Sequence, residues 1–190
     1  ALQGKIEIDE RTITKIPAHF HGRIEKLYVN FTGETVSKGQ LLAEVYSPEL
    51  ITAQQELLQA LEYKESNPSL YQAARNKLAF WKISDAEIDR IEQLGEIQNN
   101  VRINAHHGGV VIQRHVALGD HVNMGDILFE IADLSRLWVL FDAYEKDLQW
   151  IGKGANIQFT VASLPGQTFN AQVSFVDPLI NPQTRVAKIR

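Results

Sequence analysis

The spacing of apolar residues along the chain changes twice, and the changes divide it into three stretches. Up to residue 46, apolar and polar positions alternate over short runs broken by glycine, the pattern of half-buried strands joined by tight turns. Between residues 47 and 100 apolar residues recur every three or four positions, as on one face of a helix. After that the period of two returns.

The helical stretch carries its own punctuation. Ser47-Pro48-Glu49 predicts a helix start, because serine caps free backbone N–H groups and proline in the first turn gives up no hydrogen bond the helix needs. Leu50, Leu57, Leu58 and Leu61 form its stripe, giving a helix of about 18 residues, roughly 27 Å long, that ends near Ser66-Asn67-Pro68. Leu70, Ala74, Leu78 and Trp81 stripe a second helix. Ser84-x-x-Glu87 is a capping box opening a third, lined by Ile88, Ile91 and Leu94 and stopped by Gly95. The stripes are expected to pack on one another. Asp85, Glu87, Asp89 and Glu92 read as a solvated acidic face whose first-turn members suit the helix dipole.

The flanking stretches repeat one another. Gly33-Glu34-Thr35-Val36-Ser37-Lys38-Gly39-Gln40-Leu41-Leu42 recurs as Gly119-Asp120-His121-Val122-Asn123-Met124-Gly125-Asp126-Ile127-Leu128, a G-x-x-V-x-x-G-x-x-L pattern. Upstream, Gly22-x-Ile24 with Val29 is answered by Gly109-x-Val111 with Val116, and downstream Glu44-Val45 by Glu130-Ile131. Neither copy holds enough apolar residues for a core of its own. The prediction is one β-sandwich in which Ile24, Val29, Val36 and Leu42 face Val111, Val116, Val122 and Leu128. Beyond it, Leu137–Tyr144, 155–161 and 169–176 predict strands, separated by Gly152-Lys153-Gly154 and Pro165-Gly166, with residues 4–9 as a further strand. Together they predict a small antiparallel sheet or partial β-barrel.

Composition narrows the function. A net charge of -4 without a Lys/Arg cluster argues against nucleic acid, which needs a concentrated basic face. No run of 18 apolar residues is present to span a membrane as a helix, and the absence of cysteine excludes disulfides and thiolate metal sites. There is no G-x-S-x-G, phosphate loop or distinctively spaced carboxylate pair, so the chain is expected not to be an enzyme. All six histidines lie in the β halves: His19, His21, His106, His107, His115 and His121. On a strand, His19 and His21 would point to one face. His21-Gly22 and His107-Gly108 fall near equivalent positions of the repeat, so His19, His21, His106 and His107 are the candidate metal ligands, with exposed strand and turn residues as the plainer reading. The single methionine, Met124, reads as a turn residue.

Two half-motifs of the biotinyl/lipoyl type, split by helices and followed by a barrel, resemble the periplasmic adaptors, or membrane fusion proteins, of tripartite efflux pumps. His21-Gly22-Arg23-Ile24-Glu25-Lys26-Leu27-Tyr28-Val29, Tyr46-Ser47-Pro48-Glu49-Leu50, Ile131-Ala132-Asp133-Leu134-Ser135-Arg136-Leu137-Trp138-Val139 and Asp177-Pro178 with Asn181-Pro182-Gln183-Thr184-Arg185 are similar to the heavy-metal, HlyD/CusB-like branch. The resemblance covers almost the whole chain. It implies an elongated, mostly β fold of several modules: a split lipoyl/biotinyl-like barrel-sandwich hybrid (12–46 with 101–133), a three-helix insertion (47–100) and a partial antiparallel β-barrel (1–11 with 134–190), with a membrane-proximal domain expected outside the chain.

The resemblance implies a bridge between an inner-membrane proton-driven RND transporter and an outer-membrane channel, exporting heavy-metal cations (Cu/Ag or Zn/Co/Cd) from a Gram-negative periplasm. An N-terminal anchor is expected before Ala1, and several copies in a ring are expected in the pump. It implies no required cofactor beyond transient contact with the transported cation. It also implies a channel-facing helical tip at Glu65, Ser66, Asn67, Pro68 and Ser69. Short helices set the chain apart from the drug-exporting branch, the alternative within the family. The alternative from another class is a biotinyl or lipoyl carrier. It lacks an attachment point, because helices and not a lysine in a tight turn occupy the apex.

Overall fold

The computed structural model describes residues 2–190. In chain order its elements are β1 (Gly4–Ile8), β2 (Ile13–Pro17), β3 (Gly22–Leu27), β4 (Thr35–Val36), β5 (Leu41–Tyr46), α1 (Pro48–Glu62), α2 (Pro68–Phe80), α3 (Asp85–Leu94), β6 (Asn100–Asn104), β7 (Gly109–Arg114), β8 (His121–Val122), β9 (Ile127–Ala132), β10 (Leu137–Tyr144), α4 (Glu145–Leu148), β11 (Asn156–Thr160), β12 (Thr168–Gln172) and β13 (Val186–Ile189). Their contacts divide the chain into two units, Thr12–Asp133 and the chain up to Arg11 with Leu134–Arg190.

In the first unit the repeat becomes two four-stranded antiparallel sheets, ordered β2-β9-β7-β4 and β6-β5-β3-β8. Each sheet takes two strands from each half, so the halves interleave and neither makes a sheet of its own. Replacing every strand by its repeat partner turns one sheet order into the other. The agreement extends to defects in register, with bulges between Ile24 and Lys26 in β3 and between Val111 and Gln113 in β7. The eight apolar residues singled out from the repeat are all buried in one core.

Glycine serves the repeat in two ways. Gly33, Gly39, Gly119 and Gly125 turn the chain at φ between 82° and 94°, where side-chain-bearing residues are strained. Gly22 and Gly109 allow close approach: a Cβ there would lie 2.5 Å from the carbonyl oxygens of Tyr46 and Ala132 respectively.

The core continues into the insertion through Leu50, Leu57, Leu78 and Ile88. The predicted caps are present. Ser47 accepts from Leu50 N at 3.4 Å, Asn67 from Leu70 N at 3.2 Å, Ser84 and Glu87 bond reciprocally, and Gly95 closes α3 in the left-handed region. Three details differ from the expectation. α1 stops at Glu62, because residues 63–66 already form the turn. On α2 the inward stripe is Tyr71, Ala74 and Leu78 rather than Leu70, which lies beside the exposed tip, and on α3 the terminal Leu94 is exposed.

The acidic face of α3 is not simply solvated either. Arg75 of α2 reaches Asp89 at 2.8 Å, Glu92 at 2.9 Å and Asp85 at 3.4 Å, and the Tyr71 hydroxyl donates to Glu92 at 2.9 Å. These partners raise the Arg75 pKa and hold α2 to α3.

The second unit contains a three-stranded sheet, β1-β10-β13, and a β11-β12 hairpin, all antiparallel, without closure into a barrel among the described residues. Its small core is Ala143, Val173 and Ile189, with Phe159 stacked on Phe169 at 5.5 Å and meeting Phe141 edge-on at 6.0 Å. The Arg190 guanidinium lies 3.5 Å from the Trp138 ring centroid. Asp9 is bound by Arg11, with contacts down to 2.6 Å, and these hydrogen bonds hold its pKa at about 2.

Candidate functional site

Two places in the first unit carry the predicted site residues, and a third holds a pair of carboxylates that the repeat relates. The first is the turn between α1 and α2. After Glu62 the chain reverses by local bonds: Asn67 N donates to Tyr63 O at 2.7 Å and Ser66 Oγ to the same carbonyl at 3.2 Å, before Asn67 caps α2. Glu65, Ser66, Asn67, Pro68 and Ser69 are all exposed, and Tyr63 and Leu70 expose apolar surface beside them.

The second place is built by the repeat. His19 follows β2 and His106 follows β6 at the same distance, so the two are repeat equivalents. Ala18 and Ala105 before them are buried and anchored alike. Ala18 N donates to Asp126 O at 2.8 Å and its carbonyl accepts from Gly125 N at 2.8 Å. Ala105 N donates to Gln40 O at 2.9 Å and its carbonyl accepts from Gly39 N at 2.7 Å. Half-burial lowers the His19 pKa, and the charges of His106 and Lys82 lower it further. Lys82 comes from the α2–α3 turn, at φ 62°.

His21 does not join this pair by strand alternation, because residues 18–21 form a bend and not a strand. Its Nδ1 lies 3.4 Å from Asn123 Oδ1. His107 is exposed in the equivalent bend. Among the described residues no group of three or more His, Cys, Asp or Glu side chains is arranged to hold a metal ion.

The third place is a pair of repeat-related carboxylates on equivalent strands of the two sheets. Glu44 on β5 accepts from Tyr28 at 2.8 Å and meets Lys26 at 3.1 Å; Glu130 on β9 meets His115 at 3.3 Å and Lys15 at 3.5 Å. The Glu44 pKa is lowered chiefly by the Tyr28 hydrogen bond, which outweighs the opposing effect of partial burial.

Sequence reasoning missed two structural anchors. Gln54 is buried on α1, where its amide donates to Gln98 O at 3.0 Å and accepts from Gln98 N at 2.8 Å, fixing the returning chain. The available signal was its place on the apolar stripe with Leu50, Ala53 and Leu57. Arg75 offered no local signal, because its partners sit on another helix.

An interleaved sandwich of two repeat halves, with helices inserted between them and an open antiparallel unit following, defines a barrel-sandwich hybrid protein. The chain matches the family described as CusB, barrel-sandwich hybrid domain, over residues 13–132, and the CusB-like β-barrel domain over 136–190. It belongs to this family of membrane fusion proteins.

The cobalt-zinc-cadmium resistance protein CzcB of Cupriavidus metallidurans is 27% identical, matched over 98% of this chain and 40% of its own length. The cation efflux system protein CusB of Escherichia coli K12 is 23% identical over 100% of this chain and 46% of its own. The chain thus spans less than half the length of these relatives. Among solved structures, ZneB of Cupriavidus metallidurans superposes with a TM-score of 0.64 at 21% identity, covering 98% of this chain and 87% of that one. MacA of Actinobacillus actinomycetemcomitans superposes at 0.59 and 23% identity, covering 100% and 71%. These two likenesses establish the fold. Among the described residues no helix is long and apolar enough to cross a membrane.

Proposed function

We propose that this chain is part of a periplasmic adaptor that links an inner-membrane proton-driven RND transporter to an outer-membrane channel for the export of heavy-metal cations. The observation that carries the reading is that two CusB-type domains follow one another over residues 13–132 and 136–190, in a chain whose matched relatives are named for cation efflux and cobalt-zinc-cadmium resistance. The role is mechanical, not enzymatic. The sandwich, residues 12–46 with 101–133, connects the helical insertion, 47–100, to the β unit, 1–11 with 134–190. The Glu65–Ser69 turn, exposed throughout, faces the channel, and several copies form a ring. His19 and His106 give passing cations a transient contact, with neutral imidazole favoured at His19 by its lowered pKa.

A carrier role has no support: β5 ends at Tyr46 and β6 begins at Asn100, with α1, α2 and α3 between them where a carrier presents a lysine in a hairpin.

The test is growth of a strain deleted for the full-length gene on copper, silver, zinc, cobalt, cadmium and nickel salts, with drugs and detergents in parallel and complementation throughout. Selective sensitivity to one or two metals, rescued by the gene, supports the proposal. Sensitivity to organic compounds alone overturns the metal cargo, and robust turnover in a hydrolase screen overturns the non-enzymatic role.

A further inference from the structure

The β1-β10-β13 sheet of the second unit has one covered edge and one open edge. Beside β13 the chain after Val173 returns: Arg190 N donates to Phe175 O at 2.9 Å and Asp177 N to Lys188 O at 2.8 Å. At the other edge β1 pairs with β10 alone among the described residues. The register shows which of its backbone groups are free. Asp142 N donates to Gln3 O at 3.0 Å, and Gln3 stands opposite Asp142 when the β1–β10 register is continued by one residue. Hydrogen-bonded and non-bonded pairs alternate along an antiparallel ladder. Gln3, Lys5 and Glu7 therefore bond inward to β10, while the N–H and C=O groups of Gly4, Ile6 and Ile8 point away from the sheet. A row of this kind is a template for another strand.

The side chains on this edge are self-complementary. Lys5 and Glu7 point to one face, and Ile6 points to the other, where it is 46% exposed and lines an open groove with Val139 and Phe159. When a second β1 strand runs antiparallel to the first with Ile6 opposite Ile6, Gly4 lies opposite Ile8 and every outward N–H and C=O meets a partner. In the same register Lys5 of each copy stands opposite Glu7 of the other, in the non-bonded pairs where side chains come closest. A slip of two residues, the smallest that keeps the outward groups paired, sets Lys5 against Lys5 or Glu7 against Glu7. In the single chain Lys5 and Glu7 form an ion pair with each other along the strand, so the exchange of partners leaves neither charge unpaired.

We propose that β1 is a self-association edge through which two copies of this chain join antiparallel about Ile6. The two three-stranded sheets become one continuous sheet with the β1 strands at its centre, and the two Ile6 side chains meet over the groove. Hydrogen bonds to the outward backbone groups supply the attraction, and the Lys5–Glu7 oppositions select the register. The contact is isologous and closes at two copies, unlike the head-to-tail contacts of a ring, so it does not rest on the adaptor reading. An edge of five residues makes a small interface, and association is weak and reversible.

Sedimentation velocity over a wide range of protein concentration tests it, with charge reversal as the diagnostic. The parent should pass reversibly from monomer to dimer. Lys5→Glu and Glu7→Lys each set like charges opposite one another twice, and each should weaken association about tenfold or more. An equimolar mixture of the two variants makes every opposition attractive again and should restore the dimer. The chain has no cysteine, so Ile6→Cys gives a second readout. Opposed Cα atoms in a hydrogen-bonded pair lie about 5.5 Å apart, within disulfide reach, and oxidation should cross-link Ile6→Cys but not Lys5→Cys, whose copies are offset along the strands. Amide exchange should slow with concentration at Gly4, Ile6 and Ile8 and not at Lys5 or Glu7. Lys5 and Glu7 lie at a sheet edge outside the core, so the circular dichroism of the charge variants should match the parent and separate lost pairing from lost fold. A parent that stays monomeric throughout overturns the proposal, as does a dimer that survives both charge reversals and fails to cross-link through Ile6→Cys. Protection of the Gly4, Ile6 and Ile8 amides in a monomeric full-length protein also overturns it, by identifying another segment of the same polypeptide as the occupant. Every one of these results leaves the adaptor reading to the growth panel.

Discussion

The Tyr28 hydroxyl donates to Glu44 at 2.8 Å, and at the equivalent point of the repeat His115 meets Glu130 at 3.3 Å. One carboxylate position has thus been kept in both halves while the group facing it has become a phenol in one and an imidazole in the other. Tyr28→Phe removes the largest influence holding the Glu44 pKa down. A depressed carboxylate contributes stability above its unfolded pKa and loses it as pH falls through the folded value. The variant should therefore show a higher Glu44 pKa by NMR titration and a smaller loss of stability on acidification than the parent.

Gly22 and Gly109 should be the least replaceable glycines of the first unit. An alanine Cβ would stand 2.5 Å from a backbone carbonyl oxygen in each case, and backbone within a sheet cannot move aside as a flexible side chain does. Gly22→Ala and Gly109→Ala should each cost about 2–3 kcal/mol in urea unfolding. Gly152→Ala, which meets nothing within 4 Å, serves as the control and should be near neutral.

Gln54→Leu preserves most of the side-chain volume but leaves Gln98 N and O without the amide that serves both. Loss of about 2 kcal/mol is expected. Hydrogen exchange should rise at Gln98, which the variant frees, more than at Ile88 in the middle of α3.

His19 gives the first unit a pH dependence of opposite chemical origin. Its folded pKa lies below the ordinary 6.5, so the unfolded chain binds the proton more readily. Its contribution is fully present above about pH 6.5 and declines as pH falls below that value. His19→Gln should flatten the stability profile between about pH 7.5 and 5, and His106→Asn should flatten it partly by removing one of the two charges that oppose protonation.

Asp9 sets an acid limit on the other unit. With its pKa held at about 2 by Arg11, its contribution persists above the ordinary carboxylate value of 3.8 and disappears as pH drops towards 2. Asp9→Asn should lower stability at pH 7 and remove that part of the acid transition, as followed by tryptophan fluorescence of Trp138.

The sandwich was legible because its signals are local and doubled: glycines at turns, valines and leucines at fixed offsets, and Ser47, Asn67 and Ser84 at helix starts. The interleaving of the halves was not, since edge strands such as β2 and β4 choose partners more than 70 residues away, by burial and not by pattern. On α2, Leu70 and Tyr71 fit the helical period about equally well, and only the neighbouring helix decides between them. The acidic face of α3 looked solvated until Arg75 arrived from α2. For the histidines, the repeat pairs His19 with His106 and not His21 with His107, and the alternation argument presumed a strand where the chain bends at residues 18–21.

Interleaving also dictates an order of assembly. As the chain leaves the ribosome, β2 and β4 emerge early and must wait for β9 and β7, with the whole helical insertion synthesised in between. The N-terminal half cannot close its sheet ahead of time, whereas α1, α2 and α3 can form their local bonds at once. Because the cost of closing a loop grows only slowly with its length, about 0.6 kcal/mol per doubling, that wait is thermodynamically mild but kinetically real. Tyr46 and Asn100 are register partners at the mouth of the insertion, so the helices begin and end at one point on the sheet. The insertion can therefore lengthen or shorten over evolution while the strands on either side keep their pairing.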